Sequence, residues 1–352
     1  MCSREEAAVA DEWKFADVDT LRPVVRAAFG SRRRLKRVER LAGGSKKGAY
    51  RLTMDDGGTT LVYAWDDSED YWQGVFPGDA DDPADPFTHA SGLGLFEAAA
   101  RRLASSGVRC PEIVFTDRSR GLYPADVAVV EDVTGGSLEA LLDKDPTAAE
   151  GPLSVLADWL AAMAAVRSPS LGTVAFVDAG GSSAWTSCES AALGRALAEL
   201  SEVAGRDRRV AAAQGRLEEV LYSLARPIEP RQAWGLVHGE LGPDHVLLDH
   251  RGDPVLIDIE GAKYFDVETE HVWTRMRFGE HYGKLSRGGM DEDRLRFYQL
   301  CMHLDLVAGP LRIADTTHPE REWFRGLAED HLKKVLLVLA LCPRNPVSTT
   351  SG

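Results

Sequence analysis

The most constraining feature of this chain is a polar loop set between short apolar runs in its last third. The apolar residues 236–237 lead into His-Gly-Glu-Leu-Gly-Pro-Asp-His at 238–245, and the apolar residues 246–248 follow. A second apolar run, 255–257, ends directly on Asp258. Two glycines, a proline and several ionisable side chains between buried strands predict a rigid loop that presents functional groups at the edge of a core.

The first part of the chain has the pattern of an antiparallel sheet. Runs rich in β-branched and apolar residues predict strands, and Asp55-Asp56-Gly57-Gly58 is a hairpin turn between two of them. The predicted strands are 35–41, 49–54, 60–65, 112–116 and 125–130. Apolar residues at helical spacing predict a leading helix over 15–29 and a main helix over 93–105.

The remainder of the chain is mostly helical in pattern. Residues 134–137, Thr-Gly-Gly-Ser, break the preceding strand pattern and mark the predicted boundary between two lobes. The predicted helices beyond the break are 138–142, 153–166, 190–203 and 210–224, with further helices through 341. A Gly/Ser/Pro-rich connection is predicted at 167–187. The predicted organisation is an N-lobe at 1–132, a C-lobe at 133–342 and a flexible tail at 343–352.

The polar loop resembles the catalytic segment of the kinase-like phosphotransferases. The aminoglycoside phosphotransferase family has HGDLxxxN followed by ID, and Glu240, His245 and Asp258 stand at the places of its Asp, Asn and metal-binding Asp. The spacing also matches that of the family. The resemblance implies an α+β, two-lobed, protein-kinase-like fold, with a small antiparallel-sheet N-lobe, a larger, mainly helical C-lobe and a nucleotide between them.

The resemblance also implies a role for each residue of the motif. Asp258 and His245 would be ligands of Mg²⁺, and Glu240 would be the general base that accepts the proton of an acceptor hydroxyl. His238 belongs to the same catalytic set, and we favour a bracing role for it over direct catalysis. The implied reaction is the transfer of a phosphoryl group from ATP or GTP to a hydroxyl of a small molecule such as an antibiotic.

The nucleotide-binding residues are expected mainly in the first part of the chain. Residues 41–51 resemble the glycine-rich strand-turn-strand that covers the phosphates in this family. Glu97 stands at the place of the helix glutamate, and residues 130–133 at the place of the hinge that contacts adenine. The implied nucleotide-binding residues are Gly44, Ser45, Lys46, Lys47, Gly48, Glu97, Glu131 and Val133.

Three departures from the family pattern keep other functions open. Glu240 replaces an Asp, His245 replaces an Asn, and residues 60–65 contain no strand lysine, a gap that Lys46 or Lys47 would fill. One alternative is therefore a catalytically degenerate, kinase-like protein that binds a nucleotide or ligand. A lower-ranked alternative is a metal-dependent oxygenase or hydrolase, because His238, Glu240 and His245 could form a facial triad.

Charge limits the class of partner. With 41 Lys and Arg against 55 Asp and Glu, the net charge of −14 disfavours nucleic acid and anionic membranes and favours cationic or neutral partners. Together with the resemblance, it implies a small hydroxylated acceptor that can be cationic. Five separated cysteines and the absence of a signal-like start favour a cytoplasmic location. Asp266 is interpreted as a helix N-cap or a loop brace. Glu268, Glu270, Asp291, Glu292 and Asp293 are interpreted as ordinary surface charges.

Overall fold

The computed structural model describes residues 15–41, 44–75, 82–286 and 288–341. It divides into two compact units, residues up to 70 with 112–132, and residues 71–111 with those from 133 onward. One boundary between the units follows residue 132, which is also the position of the predicted lobe boundary. Residues 71–111, by contrast, belong to the same unit as the residues after 133. The functional division into lobes stays a prediction, and the predicted tail at 343–352 lies outside the described residues.

The first unit contains one long helix and a five-stranded antiparallel sheet with the order β1-β2-β3-β5-β4. The elements are α1 (Val18–Phe29), β1 (Leu35–Arg40), β2 (Gly48–Met54), β3 (Thr59–Trp65), β4 (Ile113–Asp117) and β5 (Asp126–Val130). A short 3-10 turn at Asp67–Glu69 follows β3. The predicted strands and the hairpin at 55–58 are therefore present, with small shifts of their ends.

The core of this unit is formed by α1 against one face of the sheet. Leu21 and Val24 of α1 are fully buried with Tyr50, Leu52 and Val62 of the sheet. The helix begins at Val18 rather than at the predicted Phe15. The Asp17 carboxylate accepts hydrogen bonds from two backbone N–H groups of the first turn, so it ends the extended chain before the helix.

The second unit is mainly helical. Its helices are α2 (Leu93–Ser105), α3 (Leu138–Lys144), α4 (Glu150–Ala165), α5 (Val174–Asp178), α6 (Cys188–Arg206), α7 (Arg208–Ala225), α8 (Val267–Phe278), α9 (Glu292–Ala314) and α10 (Arg321–Leu341). Its strands are β6 (Gly172–Thr173), β7 (Gly235–Val237), β8 (Val246–Leu248), β9 (Pro254–Leu256) and β10 (Lys263–Phe265). The predicted Gly/Ser/Pro-rich connection over 167–187 contains β6 and α5, which the sequence did not indicate because elements of two and five residues are too short to show a periodicity.

Short strands bring the two motif segments together. Strand β10 pairs antiparallel with β7, so that Lys263 lies opposite Val237, and β8 pairs with β9. Just past that hairpin, the Ile257 amide donates to the His245 carbonyl at 2.9 Å. The sheet and the hairpin therefore hold residues 238–245 next to Asp258. Within the described residues no helix combines the length and apolar character needed to cross a bilayer.

Candidate active site

The catalytic loop, residues 238–245, begins at the end of β7 and closes with a 3-10 turn at Pro243–His245. Gly239 has a φ of +104°, a conformation that disfavours any side chain. A Cβ at Gly239 would also lie 3.3 Å from Cε of Lys263. Glycine therefore allows the chain to turn at this position and leaves room for the Lys263 side chain beside the loop.

A buried carboxylate from α8 holds the start of the catalytic loop. Glu270 is 2% exposed, and its Oε2 accepts hydrogen bonds from the backbone N–H groups of His238 and Gly239, the latter at 3.0 Å. Hydrogen bonds to an ionised acceptor are stronger than those between neutral groups. The prediction that Glu270 is a surface charge is wrong, because its carboxylate binds two loop amides that the sequence does not reveal.

The same helix holds the other end of the loop. Arg277, near the C-terminal end of α8, donates to Oδ1 of Asp244 at 2.6 Å, and Asp244 directly precedes His245. Since Glu270 and Arg277 lie on one helix, α8 fixes both ends of the loop relative to each other. Sequence reasoning did not identify either contact.

His238 is a brace in this geometry. Its side chain is 2% exposed, and its Nε2 lies 2.9 Å from the Ile257 carbonyl, which can only accept a hydrogen bond. Nε2 therefore donates, and the ring connects the catalytic loop to the residue before Asp258. Nδ1 is buried and has no hydrogen-bond partner within the described residues. This geometry is that of a positioning residue.

His245 lies between the loop and Asp258. Its Nδ1 is 3.0 Å from the Glu240 carbonyl oxygen, so Nδ1 carries the proton and donates. Nε2 faces two carboxylates, with Oδ2 of Asp258 at 3.8 Å and Oδ2 of Asp244 at 3.7 Å. The structure thus brings together His245 and Asp258, the two residues predicted as metal ligands.

Asp258 occupies an unusual backbone conformation. Its φ of 57° and ψ of 46° are left-handed, a region that aspartate tolerates better than most residues because its short side chain can hydrogen-bond locally. Its side chain is 51% exposed, and the 3-10 turn Ile259–Gly261 follows it. Asp258 is therefore half-exposed although it directly follows the apolar run 255–257.

The carboxylate of Glu240 is accessible. Glu240 is exposed, and within the described residues its side chain makes no hydrogen bond or ion pair. Its backbone, by contrast, is held by the His245 ring through the carbonyl oxygen. A fixed backbone with a free carboxylate is the arrangement that a base needs to reach a substrate proton.

The side chains near Asp258 can be compared with those that the predicted Mg²⁺ site and the facial triad each require. Within the described residues no group of three or more His, Cys, Asp or Glu side chains forms a cage for a metal ion. His238 uses its Nε2 in the bond with Ile257, and in the described part of the chain it forms no three-ligand group with Glu240 and His245 of the kind that a facial triad requires. Exposed Asp258 suits Mg²⁺, which takes one or two protein carboxylates and completes its shell with water and phosphate oxygens.

Asp266 and Glu268 are structural. Asp266 stands at the N-cap position of α8, but its buried carboxylate accepts from Arg231, Arg294 and Tyr298 instead of from the first turn of the helix. Its place at the helix start and its bracing role are both as predicted, although its side chain makes no capping hydrogen bond. Glu268 is 1% exposed and pairs with Arg231 at 2.6 Å, so its interpretation as a surface charge is also wrong.

The glycine-rich segment belongs to the first unit. A Cβ at Gly48 would lie 2.2 Å from Oε1 of Glu69, a carboxylate that is 3% exposed and binds Arg40 at 2.9 Å and Tyr50. Glycine is thus required where the segment enters β2. Gly44, Ser45, Lys46 and Lys47 precede it with exposed or half-buried side chains. The Lys47 ammonium lies 5.2 Å from the ring centre of Tyr63.

The predicted hinge is anchored to the sheet. The Glu131 N–H donates to the Glu112 carbonyl at 2.9 Å, and the Glu131 carboxylate accepts from the Glu112 N–H. Asp132 is clamped by Arg51 of β2 through two hydrogen bonds of 2.9 and 3.0 Å. The Glu131 N–H is therefore already used in a hydrogen bond within the first unit.

Two further residues predicted to bind the nucleotide belong to the second unit. Val133, the last residue of the predicted hinge, is buried. Glu97 lies half-buried on α2. Strand β3, where the family has a lysine, contains none in this chain. The gap noted in the sequence at residues 60–65 therefore falls within β3.

Comparison with known proteins decides the family. The profile of a family described as "Phosphotransferase enzyme family" matches residues 81–304, well over half of the chain, including the loop and Asp258. The chain belongs to this family. It is a small-molecule phosphotransferase, a kinase with an alcohol group as its acceptor. No curated protein matches it in a sequence search.

Solved structures confirm the fold. An apo thermostable mutant of aminoglycoside phosphotransferase APH(4)-Ia has a TM-score of 0.58 at 17% identity, over 89% of this chain and 98% of that chain. A ternary complex of such a mutant with AMP-PNP and hygromycin B has a TM-score of 0.56 at 18% identity, over 89% and 98%. The GDP and kanamycin complex of APH(2'')-IIIa has a TM-score of 0.59 at 18% identity, over 90% and 97%.

These likenesses confirm the predicted α+β, kinase-like fold and the family resemblance. At 17 and 18% identity they establish the fold alone. The roles of the site residues, the divalent metal, the identity of the donor and the acceptor remain predictions.

Proposed function

We propose that this phosphotransferase transfers the γ-phosphoryl group of ATP or GTP to a hydroxyl of a cationic small molecule of the antibiotic type. The observation that carries the proposal is the braced loop, in which the Glu240 backbone carbonyl is bonded to His245, His245 faces Asp258, and the Glu240 side chain is exposed. Phosphoryl transfer requires chiefly positioning and charge neutralisation, so a rigid loop with one accessible carboxylate suits it.

Glu240 is the proposed base. Its carboxylate orients the acceptor hydroxyl and accepts its proton as the oxygen attacks phosphorus. The longer side chain of Glu, compared with the family's Asp, shifts the carboxylate by about 1 Å, a displacement that the loop has to accommodate. His238 and Glu270 support this step indirectly by holding the loop backbone.

Asp258 and His245 are the proposed ligands of the divalent ion. Mg²⁺ at this position supplies neutralisation of phosphate charge. The Asp258 carboxylate is the oxygen ligand, and Nε2 of His245, the ring nitrogen that does not bind the Glu240 carbonyl, faces it from 3.8 Å. Because imidazole is a softer ligand than the usual amide oxygen, we expect Mn²⁺ to be accepted at least as well as Mg²⁺.

The nucleotide is assigned to the predicted binding residues. The backbone of Gly44 to Gly48 covers its phosphates, Lys46 and Lys47 add positive charge, and the Glu131 carbonyl and the Val133 N–H bind the base. Glu97 on α2 is proposed as a further nucleotide-binding residue. The cationic acceptor is supported by the net charge of −14 and by the neighbours, whose complexes contain hygromycin B and kanamycin.

The proposal is tested by acceptor-dependent nucleotide turnover. ADP or GDP release is measured with Mg²⁺ or Mn²⁺ against aminoglycosides, macrolides, peptide antibiotics and nucleoside antibiotics, and phosphorylated products are identified by mass spectrometry. We expect one class to be phosphorylated. If the protein binds nucleotide but phosphorylates no acceptor in the panel, the degenerate-kinase alternative is favoured instead.

A further inference from the structure

A cavity of about 370 Å³ lies in the second unit, away from the catalytic loop along the chain. Its wall includes Gln232 and Ala233, which precede β7, and Val267 and Glu268, which begin α8. The catalytic loop leaves β7 at the strand's other end, and α8 carries Glu270. The cavity therefore adjoins the starts of the two elements that hold the loop.

The two arginines of the cavity wall differ in whether carboxylates compensate their charge. Arg231 donates two hydrogen bonds to Glu268, at 2.6 and 2.8 Å, and a third to Asp266, so its charge is compensated. Arg167, in the segment after α4, is exposed and makes no hydrogen bond or ion pair within the described residues. The wall thus has one uncompensated positive charge.

The rest of the wall is largely apolar. Ala164, Ala233, Val267 and Met290 contribute hydrocarbon surface. A volume of about 370 Å³ falls within the range of small-molecule sites, which combine apolar walls with a few orienting polar groups. An arginine at such a wall favours a carboxylate, since the guanidinium can donate two parallel hydrogen bonds to it.

We propose that this cavity binds a small organic carboxylate with a flat apolar body, the carboxylate on Arg167 and the body against the apolar wall. The bound molecule contacts the end of α4, the residues before β7 and the start of α8 together. It thereby opposes local opening of these elements, because a ligand that binds only the closed state stabilises that state. The His238 and Gly239 amides, which Glu270 holds from α8, then exchange with solvent more slowly.

The probe for this site is 1-naphthoate, and 1-naphthamide is its neutral counterpart. Binding is measured by titration calorimetry with the whole chain, without nucleotide, so the result does not depend on the proposed reaction. Arg167→Gln removes the charge at the cavity. Arg208→Gln is the matched control, because Arg208 lies at the start of α7, is exposed and has no ion-pair partner within the described residues.

We expect saturable binding of 1-naphthoate, at least ~10-fold weaker binding to Arg167→Gln, and unchanged binding to Arg208→Gln. The neutral amide is expected to bind at least ~10-fold more weakly than the acid. Equal affinity of the parent and Arg167→Gln, equal affinity for acid and amide, or no binding at all overturns the proposal. Thermal unfolding without ligand checks that both variants fold.

Hydrogen exchange tests the contact with the catalytic loop. Saturating 1-naphthoate is expected to slow exchange of the His238 and Gly239 amides in the parent and in Arg208→Gln, but not in Arg167→Gln. If the parent binds 1-naphthoate and exchange at both amides is unchanged, the stabilising effect on the loop is overturned.

Discussion

The glycine-rich segment of the first unit and the catalytic loop of the second unit are held in different ways. The catalytic loop is fixed at its start by Glu270 on two backbone amides and by His238 on the Ile257 carbonyl, and near its end by Arg277 on Asp244. The glycine-rich segment is limited sterically where Gly48 meets Glu69, but its residues 44–47 stay exposed or half-buried. The catalytic loop has a backbone held by side chains from other elements, and the glycine-rich segment consists of exposed or half-buried residues.

The difference corresponds to the two tasks that a kinase performs. A base has to lie within hydrogen-bond reach of one hydroxyl, and an error of 1 Å in its position can cost ~10²-fold in rate. Phosphate oxygens present several acceptors, so a segment that covers them tolerates some adjustment. We therefore expect substitutions that loosen the catalytic loop to have larger effects than substitutions in the glycine-rich segment.

The largest effect is expected when the brace of the catalytic loop is removed. Glu270→Ala leaves two buried N–H groups without an acceptor, which destabilises the protein by about 2–5 kcal/mol and removes nearly all phosphotransfer. Urea unfolding and turnover measure the two effects. The matched control is Glu280→Ala, since the Glu280 side chain is 90% exposed. If the Glu270 and Glu280 variants behave alike, the loop is not held by α8.

The next effect concerns the charge of Asp258. Asp258→Asn keeps a residue that tolerates the left-handed conformation but removes the negative charge, so affinity for Mg²⁺-nucleotide should fall by ~10- to 100-fold. Calorimetry with and without Mg²⁺ measures the loss, and circular dichroism checks the fold. Metal-dependent affinity equal to that of the parent would exclude Asp258 as the metal ligand.

Lowering the pH tests the stability of the second unit as a whole, whereas the variants above test the catalytic loop. Burial lowers the pKa of both His303 and His331 to about 4, and their Nδ1 atoms face each other at 3.0 Å. Their pKa in the unfolded chain is higher, about 6.5, so the unfolded state binds protons first as the pH falls below that value. The contribution of the two histidines to the free energy of unfolding is therefore fully present above pH 6.5 and is lost as the pH falls toward 4.

We expect the free energy of unfolding to fall by about 1–2 kcal/mol per histidine between pH 7 and pH 5. The pH series of urea unfolding measures it. Replacing both His303 and His331 by Gln should flatten this part of the profile. An equally steep profile in the double variant would assign the acid sensitivity to other groups.

The smallest effect is expected in the glycine-rich segment. Changing Lys46 and Lys47 to Ala should raise the nucleotide KM by ~2- to 5-fold per lysine and leave kcat nearly unchanged, because each contributes only a partly exposed charge. Steady-state kinetics separate KM from kcat. A fall in kcat as large as that of a loop variant would mean that the glycine-rich segment is as tightly coupled to the chemistry as the loop is.

The sequence was sufficient for the parts of the site that local pattern determines. The motif of Glu240, His245 and Asp258 could be found because short apolar runs frame it at fixed spacing, and the antiparallel sheet could be found from its strands and hairpin. Glu270 was misplaced on the surface because charged residues are seldom buried. Its partners are backbone amides 31 and 32 residues away, and such contacts leave no mark in the sequence.

The central claim, that the braced loop presents Glu240 as the base, is tested most directly by the turnover of Glu240→Gln on an identified acceptor. Glutamine keeps the shape and the hydrogen-bonding capacity but cannot accept the proton, so kcat should fall by ~10²–10⁴-fold while nucleotide affinity stays the same. Glu240→Asp is the companion variant, expected to lose activity because its carboxylate falls about 1 Å short. A Glu240→Gln variant that turns over at nearly the parental rate would contradict the claim.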